Sequence, residues 1–283
     1  MKKKYYLFIS LSIFSFIGCQ KDSSLVSDNT DEGAAPIVFS LNDGFSVDLV
    51  ETKAVTEVST SNLTSFNVSA TTGTSGSEVN KWNNISFAKS GSNFTASGYY
   101  WPATDQSYHF YASNAALTFN AGGCTVSPDG TVDVVCAYLA SPTYKANNAL
   151  TFNHIYSRIG SLSLTSSDSN FTVSNVTWTL KSAKTSGTYN LRTGTWTPGT
   201  GADKTLSASP DILILPGTYT LQCSYNVKDK NSNYTKNFTK TASITLVAGK
   251  KYTITGTGTN DATAITFTAT VTAWSSATLT PTF

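Results

Sequence analysis

Few side chains in this sequence of 283 residues are of the types that do covalent or acid–base chemistry, and their spacing decides what is open to them. There are two histidines, His109 and His154. A hydrolase needs a positioned base, which histidine supplies most often. His109 falls out of phase with the apolar alternation of Tyr108, Phe110 and Ala112 and reads as a sheet-surface residue, while His154 opens a fresh apolar run and reads as a cap or bridge between domains. No Cys-x-x-Cys, His-x-x-x-His or Asp-rich calcium loop occurs, so no metal ligand is nominated and no cofactor is implied. Gly256-Thr257-Gly258 follows a strand but precedes no helix, which rules against a phosphate cradle. Two carboxylates from distant stretches can meet in space, as glycoside cleavage requires. The acids here sit mostly in turns and near the amino terminus, and the chain reads as non-catalytic.

The cysteines divide into one with a motif and three without. Cys124 and Cys136 flank the turn signal Ser127-Pro128-Asp129-Gly130 and could sit on one hairpin. A tight loop there leaves the pair diagonal or further, ~7 Å or more apart, at the limit of about 7 Å for a disulfide. Buried thiols are favoured over a bridge. Cys223 lies in phase with Tyr219, Leu221, Tyr225 and Val227 and reads as a core thiol.

Cys19 is different. Lys2, Lys3 and Lys4 precede an apolar run from Tyr5 to Ile17, and Gly18-Cys19 ends it. The run is shorter than the ~20 residues that span a hydrocarbon core, so residues 1–18 read as a cleaved signal peptide. Phe16-Ile17-Gly18-Cys19 resembles the lipobox of bacterial lipoproteins, in which the cysteine thiol takes a diacylglycerol and the freed amine a third acyl chain. Such chains hold a protein to a bilayer at about 0.8 kcal/mol per buried methylene. Lys21-Asp22 after Cys19 resembles the signal that, in Bacteroidetes-type bacteria, sends lipoproteins to the outer face of the outer membrane.

The elements that must position everything else are strands. Charged residues make up only 13% of the chain, and the net charge of +2 rests on the three signal lysines, so nothing favours nucleic acid. Aromatics at 12% argue against a disordered stalk. Residues 19–35, almost without apolar content, read as a lipidated tether. From Pro36 onward apolar residues alternate over short runs separated by turn clusters. Ile37, Phe39 and Leu41 lead through Asn42-Asp43-Gly44 to Val47 and Leu49. Ile85 and Phe87 lead through Ser90-Gly91-Ser92-Asn93 to Phe94 and Ala96. Val132, Val134 and Cys136 share a face, as do Val176, Trp178 and Leu180, and Ile265 to Ala273 make the longest alternation. No stretch keeps helical spacing for three turns. The expectation is an all-β chain in two β-sandwich domains, 36–152 and 153–283.

Taken in order, these motifs resemble the fimbrillin-like proteins, the subunits of lipoprotein-derived pili in Bacteroidetes-type bacteria. The resemblance rests on the box at Cys19, Thr52-Lys53-Ala54, Tyr99-Tyr100-Trp101-Pro102, Asp133-Val134-Val135-Cys136-Ala137 and Leu150-Thr151-Phe152-Asn153-His154. The second half adds Gly187-Thr188-Tyr189 with Thr195-Trp196, Ile214-Leu215-Pro216 and Ala248-Gly249-Lys250-Lys251-Tyr252. It implies two tandem transthyretin-like or Ig-like sandwiches, export as a lipoprotein, and a cut by a trypsin-like protease after an Arg or Lys. Lys53 before Ala54 is the best placed candidate. The lost strand leaves a groove that a strand of the next pilin-like subunit fills, commonly from its carboxyl terminus. Here Ser275 to Phe283 is short for such a donor, which favours a tip or accessory subunit over a polymerising one. The runner-up reading is a surface glycan-binding lipoprotein of a nutrient-uptake system, with Tyr99, Tyr100, Trp101 and Trp196 as a stacking platform for sugars.

Overall fold

The computed structural model describes residues 35–41, 58–59, 62–74, 76–104, 107–231, 235–258 and 265–273, and among them the chain is all-β, without a helix. In chain order the strands are β1 (Pro36–Leu41), β2 (Ser65–Thr72), β3 (Val79–Ser90), β4 (Asn93–Tyr100), β5 (Tyr108–Ser113), β6 (Thr118–Asn120), β7 (Gly123–Val126), β8 (Val135–Leu139), β9 (Asn147–Leu150) and β10 (Asn153–His154). There follow β11 (Ser157–Ser166), β12 (Phe171–Ala183), β13 (Gly187–Asn190), β14 (Thr195–Pro198), β15 (Ala202–Leu206), β16 (Ile212–Ile214), β17 (Gly217–Asp229), β18 (Thr235–Leu246), β19 (Lys250–Gly258) and β20 (Ile265–Ala273).

One large sheet runs β10-β8-β5-β2-β3-β4-β1-β9. Flat, it would hold β5 and β1 about 19 Å apart at roughly 4.8 Å per strand, yet the rings of Phe39 in β1 and Phe110 in β5 lie 5.0 Å apart. The sheet therefore folds over on itself around a core of Ile37, Phe39, Phe66, Val68, Phe87, Phe94, Trp101 and Phe110. Two four-stranded sheets, β16-β11-β19-β20 and β15-β12-β17-β18, face each other across a second core that includes Ile159, Leu162 and Ile254 on one side and Trp178, Leu180, Leu221 and Cys223 on the other. The fourth sheet, β14-β13-β7-β6, draws strands from both sides of residue 153, joined where Tyr189 pairs with Val126 and Asn190 with Thr125.

The alternation read from sequence places most faces correctly. In β17, Tyr219, Leu221, Cys223, Tyr225 and Val227 are buried and the residues between them are not. The β3–β4 hairpin turns on two residues, with Ser90 opposite Asn93 and Gly91 at φ +62°, the left-handed backbone such a turn needs. β5 and β8 are buried on both faces. Phe110, Ala112, Val135 and Ala137 enter the first core, whereas Tyr111, Val134 and Cys136 enter a third core built with Cys124, Ile155, Tyr156, Leu191 and Leu213.

Three expectations fail locally. Cys124 and Cys136 do not share a hairpin: Cys124 lies in β7, whose hairpin partner is β6 with Phe119 opposite it, and Cys136 lies in β8 of the large sheet. All three described cysteines are free and buried. Val132 is exposed, because β8 begins only at Val135. Val176 is exposed although Trp178, two residues on, is in the core. Asn175 at φ +52° makes a bulge there, so that inward residues are odd-numbered before it (Phe171, Val173) and even-numbered after it (Trp178, Leu180). The strand expected from Val47 and Leu49 lies outside the described residues.

Candidate strand-acceptor site

β1 is inserted between two strands that come much later in the chain. It runs antiparallel to β4, with Val38 opposite Thr95 and Phe39 opposite Phe94, and parallel to β9, from Val38 opposite Asn147 to Leu41 opposite Leu150. The Ala35 carbonyl accepts the Trp101 amide at 2.9 Å, closing the near end of the ladder. Alternation then sends Ile37 (1% exposed) and Phe39 (0%) into the core, with Ala35 and Leu41 half-buried on the same side. Burying each of the two large side chains contributes roughly 1.5–3 kcal/mol, and each ladder hydrogen bond about 1 kcal/mol net. β1 is thus held from both edges and from below.

The walls of this slot have contacts of their own. The Phe66 ring sits 4.7 Å from Phe94 and 5.0 Å from Phe152, tying β2 to β4 and to the second residue after β9. The Asn147 amide donates to the Asn93 side-chain oxygen at 3.0 Å, joining the starts of β9 and β4 directly. Chemically the arrangement can exchange one strand for another. If the chain is cut between β1 and β2, only hydrogen bonds and apolar contacts retain β1, and its loss exposes two ladder edges and an apolar trough, a surface that favours strand addition.

On the way to β2, the Val58 amide donates to the Asp133 carboxylate at 3.0 Å. Asp133 has no solvent exposure, and a carboxylate so placed requires partners. It also accepts from His154 Nδ1 at about 3 Å, and its backbone carbonyl accepts the Asn114 side-chain amide at 2.9 Å. A Ser59–Asn62 turn continues the anchor, with the Ser59 amide donating to Asn62 Oδ1 at 2.7 Å and the Leu63 amide to the Ser59 carbonyl. Val58, Ser59, Asn62 and Leu63 are thus held by hydrogen bonds in which β1 takes no part.

A second buried polar cluster fastens the slot-bearing sheet to the second half. Tyr111 donates its hydroxyl to both oxygens of buried Glu78, at 2.8 and 2.9 Å, and Arg192, in the loop of the β13–β14 hairpin, pairs with the same carboxylate. Burial first, then the Glu78 carboxylate, raises the Tyr111 phenol far above its ordinary range. Arg192 Nε donates to Tyr138, Tyr138 donates to His109 Nδ1, and His109 Nε2 donates to the Gly73 carbonyl. Gly123 closes over the cluster at φ +114°, where a Cβ would stand 2.8 Å from the Tyr111 hydroxyl, so only glycine fits.

Of the residues nominated from sequence, Cys19, Lys53, Ala54 and Ser275 to Phe283 lie outside the described residues. His154 lies in β10 of the large sheet and meets Asp133 there, and His109 is a hydrogen-bonded sheet residue. Trp101 is a core residue at 1% exposure, and Trp196 is half-buried with its ring N–H donating to the Ile155 carbonyl at 3.1 Å. Tyr99 is half-buried against Trp82, leaving Tyr100, 41% exposed, as the one open ring of the four proposed for sugar stacking. Among the described residues no three His, Cys, Asp or Glu converge as a metal site would require. Glu78 and Arg192 carry no sequence signal beyond being single charges in a charge-poor chain, and Asp133 stands out there only as the start of Asp133-Val134-Val135-Cys136-Ala137.

A family profile described as fimbrillin-like matches residues 52–274 of this chain. No curated protein matches it. Among solved structures, the chain is similar to a candidate cell adhesion protein from Bacteroides uniformis, at 17% identity and a TM-score of 0.53 over 86% of this chain and 99% of that one. It is similar also to a fimbrial protein from Bacteroides vulgatus, at 13% identity and 0.51 over 74% and 92%. A candidate cell adhesion protein from Parabacteroides distasonis aligns at 8% identity and 0.50 over 85% and 97%. At these identities the likeness concerns the fold.

Proposed function

The chain belongs to the fimbrillin-like family, and from that premise we propose that it is a non-catalytic cell-surface lipoprotein acting as a tip, accessory or structural subunit of a fimbria and contributing to adhesion. Its precursor is anchored through Cys19, with its two sandwiches, 36–152 and 153–283, held off the outer membrane by the tether 19–35. A cut between Lys53 and Ala54 then frees the subunit from that tether, and it joins its neighbour when a strand of another pilin-like subunit enters the place of β1.

The observation that carries this reading is the position of β1. It precedes Lys53, it lies between β4 and β9 and not at an outer edge, and its Ile37 and Phe39 are core residues. A cut at Lys53 therefore detaches an internal strand without severing the remainder, which Asp133 holds from Val58 onward. The glycan-platform alternative loses its support, since Trp101 is in the core and Trp196 is tied to Ile155.

The test is the amino-terminal residue of the protein recovered from cell-surface assemblies, with SDS-resistant ladders read on the same material. Ala54 at the terminus together with ladders is the expected result. Acylated Cys19 at the terminus of every molecule within ladders would remove the maturation step. Deleting Ser275 to Phe283 separates the roles: ladders lost identify the tail as a donor, while ladders kept fit a tip or accessory subunit that only accepts a strand.

A further inference from the structure

The side of the slot that faces the core is not uniform, and its shape says what can enter. Ala35, just before β1, and Ile37, Phe39 and Leu41 within it point inward. Of these, Phe39 is ringed by aromatic side chains from three different strands. Phe110 in β5 meets it edge-on at 5.0 Å, Phe87 in β3 edge-on at 5.1 Å, and Phe66 in β2 lies at 6.4 Å. Those three rings are also held by others. Phe66 packs on Phe94 and Phe152, Phe87 on Trp82 at 5.9 Å, and Phe110 on Tyr108 at 5.7 Å and Trp101 at 5.9 Å. The socket thus keeps its walls when β1 leaves and cannot collapse onto a smaller side chain.

We propose, on the reading that a partner strand replaces β1, that this slot selects an extended segment of another polypeptide by one phenylalanine placed at the register of Phe39, in a strand running parallel to β9. Three physical points carry this. A small residue in a socket with fixed walls leaves a cavity the size of a ring. A tyrosine would bury its hydroxyl among hydrocarbon rings, and a tryptophan would overfill a close-packed site. Edge-to-face geometry adds a preference that aliphatic side chains lack. The outward residues Val38 and Ser40 are half-buried and lie off the ring cluster, so they contribute little to choice. Direction follows from the ladders: Val38 to Leu41 run in step with Asn147 to Leu150, and a reversed strand would exchange the parallel hydrogen-bond pattern for an antiparallel one. The partner is a subunit strand of the pattern small, any, branched aliphatic, any, phenylalanine, any, aliphatic.

The experiment uses the full chain, nicked by limited trypsin treatment in residues 42–57, unfolded, and refolded with excess fluorescent peptide spanning residues 33–43. Retention of label on the gel-filtered protein is the readout. The peptide of natural sequence is expected to be retained, and Val38→Ala to bind within about threefold of it. Phe39→Ala is expected to bind at least about a hundredfold more weakly, and a spin label at the amino end of the natural peptide is expected to broaden the amide resonance of Trp101 and not that of Leu150, since Ala35 meets Trp101 and Leu41 meets Leu150. Retention of Phe39→Ala equal to that of the natural peptide overturns aromatic selection while leaving the acceptor slot standing. Broadening of Leu150 in place of Trp101 overturns the direction. Failure of the natural peptide itself removes the acceptor reading, and this inference with it.

Discussion

A carboxylate without solvent exposure persists in a fold only when its oxygens are occupied, and Asp133 fills that condition with the Val58 amide and His154. Replacing Asp133 with Ala leaves two buried donors unmatched, an expected loss of roughly 2–5 kcal/mol, seen as a lower urea midpoint. Asp133→Asn retains an acceptor for Val58 and recovers part of it. Hydrogen exchange of the Val58 amide separates anchoring from general destabilisation: it is expected to quicken more in the Ala variant than do amides of β17. The buried thiols make a second residue-scale prediction. Burial pushes Cys124, Cys136 and Cys223 up to about 12, whereas in the unfolded chain a thiol titrates near 8.5. Between these values the unfolded state has lost protons that the folded state keeps, so stability is full below pH ~8 and falls as pH rises. The urea midpoint at pH 10.5 is expected below that at pH 8, and Cys223→Ala is expected to flatten the difference.

At the scale of elements, phase matters more than propensity. A strand keeps one face inward only while its backbone stays regular, and in β12 a left-handed Asn175 moves the inward set from odd to even positions. A β-branched residue at that φ is strained by roughly 1–3 kcal/mol. Asn175→Val is expected to lower stability by about that amount, and Asn175→Gly to leave it nearly unchanged, both by chemical denaturation. The same reasoning shows what the sequence could reveal. Regular strands such as β17 and the β3–β4 hairpin were legible from alternation and turn residues alone. The bulge at Asn175 was not, because asparagine at φ +52° and asparagine in an ordinary strand are the same letter. Asn84, at φ +55° within β3, hides a second such change between Trp82 and Phe87, both of which pack on the first core. The acceptor site was half legible. Ile37, Phe39 and Leu41 announced an inward face, but nothing local stated that β4 and β9 would close on both edges of β1, since that is a long-range pairing. Separation of Cys124 from Cys136 had the same cause: β7 pairs back with β6 and then with β13, a strand more than sixty residues onward.

For the whole molecule the question is whether the half that holds β1 and the half that follows act as one body. Each half has a core of its own, which by itself predicts two independent transitions on heating. Two features oppose that. The sheet β14-β13-β7-β6 shares ladder hydrogen bonds between the halves, and a third core mixes Tyr111, Cys124 and Val134 with Tyr156, Leu191 and Leu213. Across this junction Arg192 pairs with Glu78, whose side chain is fully buried. Removing the arginine alone strands a buried carboxylate that still has the Tyr111 hydroxyl but no cation, a change of roughly 3–5 kcal/mol. Arg192→Met is therefore expected to lower the unfolding temperature and to split a single calorimetric transition into two. Glu78→Gln introduced with it removes the stranded charge while keeping a group that Tyr111 can donate to, and is expected to restore much of the temperature. The two perturbations should then be non-additive. If Arg192→Met leaves one undivided transition at an unchanged temperature, the pair does not couple the halves. In that case the shared sheet and the third core join the halves without it.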